Sequence, residues 1–147
     1  MSGCFAVDST CMCAVVAVWH ERHQDARAEV SRRLNDGWEM VVPAHALAET
    51  YSSLTRLPAG LRVPPALAWS NIRGNFVEGR LIAHLDADGY RAALDTFPER
   101  QISGGRVYDA LIAVAAQAAG AETIITMNLR DFEGLIPGLA VVAPARR

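Results

Sequence analysis

The stretch Phe5-Ala6-Val7-Asp8-Ser9-Thr10 decides the fold, because a short apolar run ends at an acid and two hydroxyl residues follow it. An apolar run of this length is typical of a buried strand. We therefore predict a first strand over residues 5–7 with Asp8 at its carboxyl end. Ser9 or Thr10 is then expected to cap a helix over residues 11–19.

The same alternation of short apolar runs and helical segments continues along the chain. Glycines at positions 37 and 120 mark two helix ends, since glycine tolerates the left-handed conformation found there. Strands are predicted over residues 39–42, 81–85, 123–126 and 139–142, and helices over 24–35, 43–54, 66–76, 87–97 and 107–119. Such alternation indicates a parallel sheet covered on both faces. We expect the α/β class, as a three-layer α/β/α sandwich with a mostly parallel central sheet, in one domain spanning residues 1–147.

Composition sets limits on partners and compartment. The net charge of −2 neither supports nor excludes an RNA partner. If four of the 16 acids share one metal site, the rest of the chain carries 14 basic and 12 acidic residues. The three cysteines, Cys4, Cys11 and Cys13, form no disulfide framework. Asp8 interrupts the apolar beginning and no basic region precedes it, so we predict a reduced, cytoplasmic protein without a signal peptide or membrane segment.

Four acids stand beside apolar segments. Asp8 and Asp131 follow predicted strands, Glu49 lies in a helix of mostly apolar or small residues, and Asp109 begins a helix. Parallel sheets bind ligands outside the carboxyl ends of their strands. Carboxylates that converge there make a hard oxygen site suited to Mg²⁺ or Mn²⁺. Such an ion activates water and stabilises charge during phosphodiester hydrolysis.

Each acid also has a purely structural interpretation. Asp8 is a common type of helix N-cap, and Asp109 is favourable at a helix N-terminus because of the helix dipole. Glu49 could face solvent, and Asp131 could cap a turn. The order of residues along the chain does not decide between convergence and these alternatives.

Four segments resemble the motifs of PIN-domain ribonucleases, and most closely those of the VapC-type toxins of VapBC toxin–antitoxin pairs. They are Phe5–Thr10, Ala48–Leu54, Tyr108–Ala113 and Thr126–Phe132, and together they span nearly the whole chain. The resemblance implies that Asp8, Glu49 and Asp109 form the acidic core. The fourth motif has Asn128 where many PIN domains carry an acid, so Asn128, Asp131 or both complete the site.

The resemblance implies an endoribonuclease that cleaves structured RNA, such as tRNA or ribosomal RNA, by metal-activated water. The expected catalytic acids are Asp8, Glu49, Asp109 and Asp131, and the expected ligands of Mg²⁺ or Mn²⁺ are Asp8, Glu49, Asp109 and Asn128. Ser9 and Thr126 are candidate substrate contacts by the same resemblance, which also implies a homodimer and a cognate antitoxin. Arg106, three residues before Asp109, is a candidate phosphate contact.

Two other classes of function are compared with this one on the residues that they require. A catalytically inactive PIN-like RNA- or protein-binding module is the alternative, and Asn128 is its only support. An aspartyl-phosphate phosphotransferase needs a second Asp two residues after the first, where this chain has Thr10. No glycine-rich phosphate loop is present either.

Overall fold

The computed structural model describes residues 2–147. This part of the chain forms five strands and seven α-helices in an alternating order. The strands are β1 Cys4–Val7, β2 Glu39–Pro43, β3 Leu81–Ala83, β4 Thr123–Ile125 and β5 Ala140–Val142. The helices are α1 Ser9–Val16, α2 His23–Asn35, α3 Ala44–Thr55, α4 Pro65–Ile72, α5 Ala87–Thr96, α6 Arg106–Ala118 and α7 Leu129–Phe132.

All five strands lie parallel in one sheet, in the order β3-β2-β1-β4-β5. The chain leaves β1 toward β2 and β3 on one side and returns to β4 on the other. Right-handed crossovers in opposite directions put their helices on opposite faces of a sheet. The contacts agree, because α1 packs against α2 and α3, whereas α6 packs against α5, β2 and β3. The predicted three-layer α/β/α fold is confirmed.

The core lies on both sides of the central strand. Phe5, Ala6 and Val7 are fully buried, as expected for a strand covered by helices on both faces. Met12 of α1 and Ile112 of α6 belong to the same hydrophobic cluster. No helix within residues 2–147 combines the length and apolar character needed to cross a bilayer.

The glycine signals for helix ends are confirmed. Gly37 and Gly120 follow α2 and α6 with φ of +86° and +101°. A side chain with a β-carbon is strained in this left-handed region, so glycine is the favoured residue there.

Several predicted boundaries were wrong. Asp8, not Ser9 or Thr10, caps α1, and the helix ends at Val16 because Ala17 is extended (ψ 99°). The helix predicted over residues 66–76 ends at Ile72 and continues as a π-helical turn, Arg73–Val77. Gly74 lies in this turn, and glycine is a poor α-helix former.

Candidate active site

The two central strands place Asp8 and Thr126 side by side. Val7 pairs with Ile125 across β1 and β4, so the next residue of each strand leaves the sheet at the same edge. The backbone N–H of Asp8 donates to the carbonyl oxygen of Ile125 at 3.1 Å. Because the chain reverses its direction across the sheet at β1, this edge is the crevice where open parallel sheets bind ligands.

Asp8 is 2% exposed and accepts hydrogen bonds from three donors. The Cys11 amide donates to Oδ1 at 2.9 Å, the Thr10 hydroxyl to Oδ1 at 2.8 Å, and the Thr126 hydroxyl to Oδ2 at 2.6 Å. Burial raises the pKa of Asp8 to about 6, although these hydrogen bonds lower it, and the Glu49 charge raises it further. Asp8 therefore caps α1 and also faces a neighbouring acid.

Glu49 of α3 is held at both carboxylate oxygens. The Ser9 hydroxyl donates to Oε1 at 3.0 Å, and Nε2 of His45 lies 3.5 Å from Oε2. The His45 ring stacks on Tyr108 with centroids 5.1 Å apart and an interplanar angle of 9°. Since Tyr108 precedes Asp109, this stack connects α3 to the start of α6. The Glu49 side chain is 30% exposed, so it contacts these neighbours and solvent at the same time.

Asp109 lies in the first turn of α6 and is partly buried. Desolvation raises its pKa to about 6; the charges of Asp131, Glu49 and Asp8 also raise it, and Arg106 lowers it. A helix N-terminus alone would stabilise the carboxylate and lower its pKa. Burial and the neighbouring acids outweigh that effect on the pKa of Asp109, and the catalytic role of this residue stays a prediction.

The fourth motif is tied to the site by its backbone. The N–H of Met127 donates to the Thr10 hydroxyl at 3.0 Å, and the N–H of Asn128 donates to the Thr126 hydroxyl at 2.9 Å. Asn128 and Asp131 are both exposed. The charge of Asp131 acts on Asp109, and this favours Asp131 over Asn128 as the contributor of charge. Metal ligation by Asn128 stays a prediction.

Thr10 is the residue whose role the sequence reasoning missed. It was considered only as a helix cap, yet its hydroxyl donates to Asp8 and accepts from Met127, which joins the first motif to the fourth. A hydroxyl residue two positions after the strand-ending acid was the available signal. His45 lies four residues before Glu49 in the sequence, but its stacking on Tyr108 depends on the tertiary structure.

Carboxylates, which recur among the residues of this edge, are the donor type that a hard divalent cation prefers. Asp8 and Asp109 both have raised pKa values, so a nearby positive charge would relieve the cost of ionising them. Within residues 2–147, no three His, Cys, Asp or Glu side chains stand close enough to enclose an ion. Magnesium is commonly held by one or two carboxylates together with water.

Comparisons with known proteins agree with this geometry. The PIN-domain family profile matches residues 6–134. Ribonuclease VapC40 of Mycobacterium tuberculosis is 39% identical over 128 residues, covering 87% of this chain and 89% of the relative. Ribonuclease VapC27 of Mycobacterium tuberculosis is 36% identical over 117 residues, covering 80% of each chain.

Solved structures share the fold. VapC20 of Mycobacterium tuberculosis, described as a Sarcin-Ricin loop cleaving toxin, aligns with a TM-score of 0.64 and 17% identity over 82% of this chain and 86% of its own. VapBC2 of Rickettsia felis, bound to a promoter DNA fragment, aligns with a TM-score of 0.67 and 19% identity over 95% of this chain and 98% of its own. From the family profile and the VapC relatives it follows that the chain belongs to the PIN-domain family, in its VapC ribonuclease group.

Proposed function

We propose that this protein is the toxin of a toxin–antitoxin pair, a metal-dependent endoribonuclease whose catalytic acids are Asp8, Glu49, Asp109 and Asp131. One observation carries the proposal: the acids act on one another electrostatically at the switch point of the sheet, and two of them have a pKa of about 6. Perturbed carboxyl groups gathered in a crevice are typical of active sites.

The residues present fit a Mg²⁺ or Mn²⁺ ion, with Asp8 and Asp109 as its holders and Glu49 and Asn128 as further candidates. When bound, an ion of this kind would lower the pKa of a coordinated water and would bring positive charge to the phosphate. The hydroxyls of Thr10 and Thr126 fix the orientation of the Asp8 carboxylate. Ser9 orients Glu49, and Arg106 brings positive charge beside Asp109, where a phosphate would lie.

The substrate and partners are proposed from the relatives. VapC20 is described as cleaving the Sarcin-Ricin loop, and VapBC2 is a toxin–antitoxin complex. Structured RNA, either tRNA or ribosomal RNA, is therefore the substrate class we propose for this chain. A cognate antitoxin and a second copy of the chain are the proposed protein partners.

Cleavage of tRNA and ribosomal RNA by the purified protein, with Mg²⁺ and with EDTA, tests the proposal. Asp109→Asn should reduce cleavage by at least about 10²-fold, because it removes a charged ligand of the cation that is proposed to stabilise the reacting phosphate. Asp95→Asn is the matched control, since Asp95 is an exposed helical acid with no ion pair among residues 2–147. RNA binding without Mg²⁺-dependent cleavage would instead support the inactive binding module.

A further inference from the structure

Five arginines lie along one surface that runs away from the acidic crevice. All 14 basic side chains of the chain are arginines, and none is lysine. We define the arginine strip as Arg27, Arg130, Arg146 and Arg147, with Arg22 at its centre. The first four are exposed, and none of them forms an ion pair within the described part of the chain. Their positive charges are therefore available to a partner.

A partly buried ion pair fixes the segment that carries Arg146 and Arg147. Nε of Arg22 lies 2.5 Å from Oδ2 of Asp25, and these side chains are 14% and 11% exposed. Nη2 of Arg22 donates to the carbonyl oxygen of Pro144 at 2.8 Å, and the backbone N–H of Arg147 donates to Oδ1 of Asp25 at 2.9 Å. The opposite charges of Arg22 and Asp25 compensate each other. Their hydrogen bonds anchor the segment that carries Arg146 and Arg147 beside the start of α2.

Three adjoining surface depressions connect the strip to the active-site edge. The first, of about 400 Å³, is lined by Arg22, Arg146 and Arg147, together with His20, His23 and the acids Glu21 and Asp25. The second is lined by Arg27, Arg147 and His23, so the two share a wall. The third extends from Arg22 to the 127–131 segment and includes Arg130 and Asp131. Arg22 thus stands between Arg130 of the fourth motif and the other arginines of the strip.

We propose that the arginine strip binds the sugar–phosphate backbone of the RNA strand that leads to the scissile phosphate. The proposal deepens the proposed function, on which it rests. Guanidinium groups contact phosphate oxygens with two parallel hydrogen bonds, and such contacts position nucleic acid without reading its sequence. A chain with a net charge of −2 has no general attraction for RNA, so a local row of unpaired arginines has to supply it.

The test compares charge reversal on the strip with charge reversal elsewhere. Arg27→Glu and Arg146→Glu change the strip, and Arg91→Glu is the matched control because Arg91 is exposed, helical and without an ion pair in the described chain. Binding of a fluorescein-labelled RNA stem-loop is measured in EDTA by anisotropy over a range of salt concentrations. Each strip variant should bind at least about fivefold more weakly at 0.1 M salt, with a slope of log K against log salt shallower by about 0.7 to 0.9.

The same variants are then assayed for cleavage in Mg²⁺. Contacts remote from the reacting phosphate should raise KM and leave kcat nearly unchanged. The proposal is overturned if Arg27→Glu and Arg146→Glu bind RNA as tightly as Arg91→Glu, or if the wild-type protein shows no measurable RNA binding. Salt-dependent binding that needs the strip, in a protein that cleaves no RNA, would refute the proposed function and leave the strip assignment standing.

Discussion

Replacing Asp8 with Asn should make the metal-free protein more stable near pH 7.5. The pKa of Asp8 is raised from 3.8 to about 6 in the folded state, a difference of about 2 units. Each unit corresponds to about 1.4 kcal/mol, so the ionised carboxylate costs the folded state up to about 3 kcal/mol. Asn removes this cost and remains a good N-cap residue.

The net gain should be smaller than this upper limit. The amide oxygen of the substitute accepts the hydrogen bonds of the Cys11 N–H and the Thr10 hydroxyl, as Oδ1 does now. Its NH₂ group faces the Thr126 hydroxyl, which currently donates to Oδ2 at 2.6 Å and must reorient to accept. Imperfect geometry there costs on the order of 1 kcal/mol, which leaves a net stabilisation of about 1–2 kcal/mol.

The sign of the pH dependence gives a second check. A carboxyl group with a raised folded pKa binds more protons when folded, so the wild-type free energy of unfolding falls as the pH rises from about 4 to about 6. It then stays at the lower value. The dependence for Asp8→Asn should be shallower, because only Asp109 still contributes in the same direction.

Urea denaturation in EDTA at several pH values between about 4 and about 8 measures both effects, with Asp95→Asn as an exposed control. Added Mg²⁺ should stabilise the wild-type protein and have much less effect on Asp8→Asn, since ligand binding to the folded state raises its stability. A loss of 1 kcal/mol or more in EDTA at pH 7.5 would refute the reasoning and leave Asp8 with a capping role alone.

Three further changes examine the rest of the site. Asp131→Asn should lower the pKa of Asp109, because a like charge beside it is lost, and should weaken Mg²⁺ binding. NMR titration measures the pKa and calorimetry measures the binding. An unchanged pKa of Asp109 would contradict the coupling. Asn128→Asp should tighten Mg²⁺ binding if the side chain reaches the ion, and an unchanged affinity would remove it from the metal site. Thr10→Val should destabilise the protein by about 1–3 kcal/mol and reduce cleavage, because the Met127 N–H loses its acceptor. Thr10→Ser keeps the hydroxyl and should therefore retain both stability and cleavage.

The strands and most helices were predictable because their apolar patterns follow directly from burial. The central run Phe5–Val7 is fully buried in the structure, and Gly37 and Gly120 end their helices as expected. The four-residue helix α7 was not predicted. A helix this short is not stable by its own propensity and depends on packing, here of the buried Phe132.

The acids could be named from the sequence, but their surroundings could not. Asp8 caps α1 and also carries the proposed role in the active site, and the sequence presented these as alternatives. Thr10 and Met127 are far apart in the chain, and the hydrogen bond between them depends on the pairing of β1 with β4. The local sequence does not reveal which strands pair. The approach of the first motif to the fourth therefore could not be derived without the strand order.

The strand order also sets the time at which the enzyme can become active during its own synthesis. β1 leaves the ribosome long before β4, its partner on one side, which ends at Ile125. Until β4 has been synthesised, one edge of β1 is unpaired and Asp8 lacks the hydrogen bond from the Thr126 hydroxyl. Asp131 is synthesised later still. The nascent chain therefore lacks the complete set of acids until the fourth motif has left the ribosome. The order of the strands along the chain thus delays assembly of the proposed ribonuclease site until residue 131 has been synthesised.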